Sequence, residues 1–316
     1  MTNTMPVSKS SRPIVKPWRK CLMNTINNSS PIKSLAIRIG LMLCVLPSLN
    51  GCSYLVSSAT DDFSARLKQT ILAQNDPEIV KDALPAYLLV MEATAAGDND
   101  NENLLFANAN LYTAYLGLLP DDSPRKASLS RKGLDFVLRG ICIHSEKWCD
   151  VQQKPATDML GLLAETSQED IDGLYSLGAA WSAWIQANKN DWNAVAQLSQ
   201  VKQIMQKVIE LDEAHQQGNA HLYLAVMESL IPETLGGKPD AAKQHFQRAL
   251  QLSPDNLMSK VLFAKHYARM VFDRDLHDNL LKTVLATQTA APGLTLINTL
   301  AQQQAQQLLN SANDYF

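Results

Sequence analysis

Asp240-Ala241-Ala242-Lys243-Gln244-His245-Phe246-Gln247-Arg248-Ala249-Leu250-Gln251-Leu252-Ser253-Pro254 decides the fold. A small residue, Ala242, is followed by Phe246 four positions on, by Ala249 three after that and by Pro254 five further. On a helix the first three share one face. Two small residues let a second helix come close, the phenyl ring fills the remaining gap, and the proline stops one helix and can begin the next. This is the spacing of the second helix of a tetratricopeptide repeat (TPR). The preceding helix offers Leu224-Ala225, and about five extra residues near 232–236 lengthen the turn between the two. Leu177-Gly178, with Trp181 three later, repeats the first-helix pattern, so three to five degenerate repeats are expected.

Outward from that segment, apolar residues recur at three and four, and strand-like alternation is nearly absent. The pattern predicts helices over Asp61–Asn75, Pro77–Ala96, Asn101–Leu119 and Ser123–Leu138, then an irregular stretch over 142–167. Further helices follow over Gln168–Asn188, Asp191–Leu211, Asn219–Ile231, Pro239–Leu252, Asp255–Val271, Asp275–Ala286 and Gly293–Ala312. The expectation is an all-α, TPR-like array of helical pairs, about a dozen helices with short connections, forming one domain over 61–316.

The amino-terminal part carries a different signal. Basic residues Lys16, Arg19, Lys20, Lys33 and Arg38 precede an apolar run from Ile39 to Leu49. At about a dozen residues the run is too short to span a bilayer but fits a signal peptide. It ends in Leu49-Asn50-Gly51-Cys52, the form of a bacterial lipoprotein signal, which makes Cys52 the acylated first residue of the mature chain. The alternative is a signal anchor with Cys52 unmodified. Ser53, in place of aspartate, favours sorting to the outer membrane in bacteria with two membranes. Residues 1–51 are then extension and signal, 52–60 a lipidated linker, and Met23 the expected translation start.

Removing 51 residues leaves 265, enough for a substantial core. Seven of the 28 basic residues lie in 1–51, so 21 remain against 31 acidic ones, a net charge of about −10. That excess disfavours nucleic acid and anionic lipid as partners, so the membrane link falls to the acyl chains. Cys21 and Cys44 leave with the signal. Cys142 and Cys149 remain as an even pair, read as a disulfide in an oxidising compartment or as two buried free thiols.

Catalytic and cofactor motifs are missing. There is no Gly-x-Ser-x-Gly elbow, and Gly236-Gly237-Lys238-Pro239 lacks the upstream glycine and the Ser/Thr of a phosphate loop. His221, His245 and His266 fall on separate helices without metal-ligand spacing, so neither a metal nor another cofactor is expected. Trp181 and Trp184, three apart, are either helix-packing core or the wall of an apolar ligand channel. Tyr112 and Tyr115 face the same alternative.

Several stretches together resemble the TRAP-transporter-associated TPR lipoproteins, the TatT family. They are Leu177-Gly178-Ala179-Ala180-Trp181-Ser182-Ala183-Trp184, Val208–Asp212, Gly218-Asn219-Ala220-His221-Leu222, Pro232–Pro239 with His245-Phe246, and Leu296-Ile297-Asn298-Thr299-Leu300-Ala301. The resemblance covers roughly 100–316. It implies a non-catalytic, lipid-anchored periplasmic protein that associates with the solute-binding subunit of a tripartite ATP-independent periplasmic (TRAP) transporter. It also implies a homotrimer and a channel for a small apolar or amphipathic ligand. A scaffold lipoprotein for envelope or outer-membrane protein assembly is the alternative. Amino-terminal sequencing of the unprocessed precursor is expected to begin at Met23; a peptide from 1–22 would refute that start.

Overall fold

The structure is a computed structural model that describes residues 66–230, 233 and 237–316. Cys52, the Met23 start and most of the 232–236 turn therefore lie outside the described residues. After a first helical stretch, α1 (66–72), short polar side chains open several of the helices by accepting otherwise unpaired N–H groups. Asp76 accepts from the N–H of Glu78 at 3.0 Å, and Pro77, which has no N–H to satisfy, begins α2 (Pro77–Gly97). Asn101 accepts from Leu104 at 3.1 Å and opens α3 (Glu102–Leu118). After Pro120 the chain turns back as α4 (Lys126–His144), which packs along α3.

The second half continues the pattern. It holds α5 (Ala156–Ala164), α6 (Ile171–Ala187), a short α7 (Trp192–Val195), α8 (Leu198–Leu211), α9 (Asn219–Glu228) and α10 (Pro239–Leu252). Then come α11 (Leu257–Leu262), α12 (Arg274–Ala286), α13 (Thr295–Asn310) and a terminal turn α14 (Ala312–Tyr315). No strand occurs among the described residues, and the fold is all-α. They lie in one unit, Ser64–Phe316.

Four helices depart from the sequence pattern, each for a local reason. α4 runs on to His144, past the expected end at Leu138, because Gly140 and Ile141 still face the core. α5 falls inside the stretch read as irregular; its nine residues bury only Met159 and Leu163, too short a signal to stand out. The helix expected over Asp191–Leu211 breaks between α7 and α8, since Asp191 caps a first turn that does not propagate. α11 widens into a π-helical segment, Phe263–Ala268, that keeps Phe263, Ala264, Tyr267 and Ala268 all buried.

The main core gathers around α6, which packs against α3, α4, α8 and α9. Ten of its 17 residues are buried, six of them in an unbroken run from Ser176 to Trp181. Such a helix needs small residues where its neighbours cross. A Cβ on Gly178 would lie 2.6 Å from Cε of Met205 and 3.3 Å from Cγ2 of Ile204, so α8 rests directly on α6 there. On α4, a Cβ on Gly140 would lie 2.7 Å from the Phe106 ring. The α9–α10 pair closes as its spacing predicts: Ala225, Ala242 and Phe246 have no exposed surface, and Phe246 stacks on Phe263 with centroids 4.8 Å apart.

Two glycines give a paired test. A methyl group at Gly140 collides with a packed aromatic ring, so Gly140→Ala is expected to lower unfolding free energy by about 1–3 kcal/mol. Gly161 in α5 has nothing within 4 Å of its would-be Cβ, so Gly161→Ala is expected to raise it by about 0.5–1 kcal/mol. Denaturant titration of both variants reads the opposite signs.

Candidate functional site

The candidate residues gather mainly along α3, α4 and α6. Cys142 on α4 is paired with Cys149, their Cα atoms 4.4 Å apart. The eight residues between and including them hold a single 3₁₀ turn, Glu146–Trp148, that tucks Trp148 into the core. A second 3₁₀ turn, Val151–Gln153, follows and buries Val151. From it, Nε2 of Gln152 donates to Oε1 of Gln197 at 3.1 Å, and the same oxygen accepts the indole N–H of Trp181 at 2.8 Å. Arg131 of α4 donates to Gln152 at 3.0 Å. The cysteine loop is thus tied to the central helix through two amide side chains that spacing alone did not single out.

The four aromatic candidates divide. Trp181 is fully buried, and Tyr112 and Tyr115 keep only 2 % of their surface. Trp181 therefore presents no surface to a ligand. Tyr112 donates its hydroxyl to Glu92, stacks on Phe136 at 6.0 Å and lies under the Lys132 ammonium; burial pushes its phenol well above the usual value. Tyr115 accepts from Arg125 at 3.2 Å. Trp184, half-buried at the margin of the same cluster, is the one of the four with appreciable surface to offer.

A polar groove of about 260 Å³ lies between α8, α9 and the start of α10. Ser199, Lys202 and Gln203 form one wall and Met227 and Glu228 the other, with Lys238 at the rim. The Lys202 ammonium sits 3.1 Å from the Glu228 carboxylate across it. The same two helices, α9 and α10, also make a contact that spacing along the chain could not reveal. His221 of α9 and His245 of α10 bring their Nδ1 atoms within 2.8 Å of each other. Nε2 of His221 is 3.1 Å from Oε1 of Glu213, and Arg248 clamps that carboxylate, donating to Oε1 at 2.7 Å.

The model of the TRAP transporter T-component family (TAtT) matches residues 73–316. The chain belongs to this family. A search among curated proteins returned no match.

The charges of this T-component act on its stability in two opposing directions. His144 bridges Asp170 (2.7 Å) and Glu102 (2.9 Å), and these bonds, the Asp170 one first, raise its pKa. Its contribution is full below the unfolded value near 6.5 and is lost as pH rises through the folded one. Burial lowers His221 and His245 instead and, with Lys265 nearby, pushes His266 down to about 4. Stability from these three is full above about 6.5 and falls as pH drops towards their folded values.

The Cys142–Cys149 closure is short, so its effect is modest and measurable. Cys149→Ser is expected to lower stability by about 2–3 kcal/mol in oxidising buffer. Dithiothreitol is expected to destabilise the parent protein to a similar extent and to leave the variant unchanged. Equal stability of parent and variant under oxidising conditions would contradict this.

Proposed function

We propose that this T-component is a non-catalytic accessory of a TRAP-type transporter that binds the transporter's solute-binding subunit. The observation that supports it is the family match over residues 73–316, the helical body after α1. Acylated Cys52 holds that body to the periplasmic side of the envelope, at the outer membrane, and the working form is a homotrimer. No helix among the described residues is long and apolar enough to cross a membrane, so in this reading the acyl chains alone provide attachment. A helical array held by an anchor presents a wide, rigid surface and suits a docking role. A small apolar or amphipathic solute would meet Trp184 first among the aromatic candidates, because the other three are packed inward.

One observation favours a second reading, a scaffold lipoprotein for envelope or outer-membrane protein assembly. Trp181, Tyr112 and Tyr115 fill the interior, and the groove between α8 and α9 is lined mostly by polar side chains, Lys202, Glu228, Gln203 and Ser199, with Met227 among them. A polar groove serves protein contacts as well as solute.

Affinity purification of the acylated protein from its native envelope separates the two. The transporter reading expects a TRAP-type solute-binding protein in stoichiometric amount. Recovery of outer-membrane assembly proteins without it would support the scaffold and refute the transporter role.

A further inference from the structure

The His221–His245 contact has a fixed proton order. Glu213 is ionised, held down to about 2 chiefly by its bonds to Arg248, and an ionised carboxylate can only accept. Nε2 of His221 therefore carries a hydrogen towards Glu213, 3.1 Å away. In neutral His221 this leaves Nδ1 as an acceptor, so His245 must donate its own Nδ1–H across the 2.8 Å gap. Nε2 of His245 is then the free lone pair of the chain. A first added proton settles there and leaves every bond in place. A second has only Nδ1 of His221 to take, which sets N–H against N–H between two cations.

We propose that His221 and His245 form a proton-operated latch between α9 and α10, closed while at most one imidazole is charged and open once both are. The surroundings fit a latch. His221 is 5 % exposed and packs near the start of α9, so a second charge is poorly solvated. Four other charged groups set its balance. Glu213, from the segment before α9, favours a charge on His221, and Arg248 of α10 opposes it. Glu228, from the far end of α9, favours one on His245 and is itself partly neutralised by Lys202 of α8. His215 turns away towards Asp172 of α6 (3.4 Å), and Tyr267 of the π segment faces Asp240 of α10.

The segment joining Glu213 to α9 supplies the movable part. Gln216, Gln217 and Gly218 are three consecutive residues at positive φ, 47°, 60° and 73°. Two of them are not glycine, so the turn is held against its own preference. Glu213 is bound at both ends of its carboxylate and holds this turn against α10. Loss of the His221–His245 bond leaves the Arg248–Glu213 clamp where both had tied this segment to α10. α9 and the start of α10 also wall the polar groove, so the groove's width follows the latch; this last consequence rests on the groove being the working surface.

The test uses the mature, disulfide-bonded protein. Amide hydrogen exchange, corrected for intrinsic rates, is followed between pH 7.5 and 4.5 in peptides from 212–228 and 239–252. The expected result is protection that is flat near neutral pH and falls about tenfold or more by pH 4.5, as the pair takes up its second proton. Peptides from α3 and α4 are expected to stay protected. His245→Gln keeps an N–H donor for His221 but takes up no proton, and is expected to hold its protection throughout. A flat profile in the parent, the same acid loss in His245→Gln, or parallel loss in α3 and α4 would each overturn the latch. Should the variant fail to fold, nitrogen-15 imidazole shifts of the parent at pH 7.5 decide. Nε2–H on His221 with Nδ1–H on His245 supports the latch, and any other tautomer pair refutes it.

Discussion

The structure depends on how closely its helices approach α6. That helix buries ten of its 17 residues and is packed by α3, α4, α8 and α9. Gly178 gives α8 room to lie against it, and Trp181, one turn on, fills the space that opens beyond. The indole still needs a partner for its N–H, and Gln197 supplies one at 2.8 Å. That same oxygen binds Gln152 and, through it, the cysteine loop. Close steric contact on one face and a single satisfied polar atom on another together fix where the irregular 145–155 segment runs. Burial of an indole without that acceptor would cost about 1–3 kcal/mol, enough to make the amide pair a structural requirement.

Much of the helical body is legible in the sequence because its signals are local. The Ala242–Phe246–Ala249 spacing, the proline starts at Pro77 and Pro239, and the polar caps at Asp76 and Asn101 each act within one or two turns. What depends on distant partners is not legible. Asn298 is buried at 1 %, where it accepts from the N–H of Leu257 and donates to the carbonyls of Asp255 and Thr289. It caps the start of α11 from a helix some 40 residues later. Nothing in the run Leu296-Ile297-Asn298 announces that job. The His221–His245 contact is hidden for the same reason: 24 residues of separation carry no helical period. The aromatic pairs show the opposite limit, since spacing of three gives a shared face but not whether that face meets a ligand or another helix.

Charged side chains gather at the α8–α9–α10 end of the array. The body carries an acidic excess, yet the groove there pairs Lys202 with Glu228 and sets Lys238 at its rim. The histidine pair and the Glu213–Arg248 clamp add polar links between α10 and the start of α9. α3, α4 and α6 meet chiefly through aromatic rings, aliphatic side chains and small residues, with His144 of α4 bridging Glu102 of α3 and Asp170 just before α6.

Native-state hydrogen exchange across residues 171–187 tests the central packing most directly. The account predicts that α6 amides exchange only through global unfolding, with the slowest rates in the chain and the same denaturant dependence as the unfolding transition. Exchange of α6 by local opening, faster than that of α12 or α13, would contradict it.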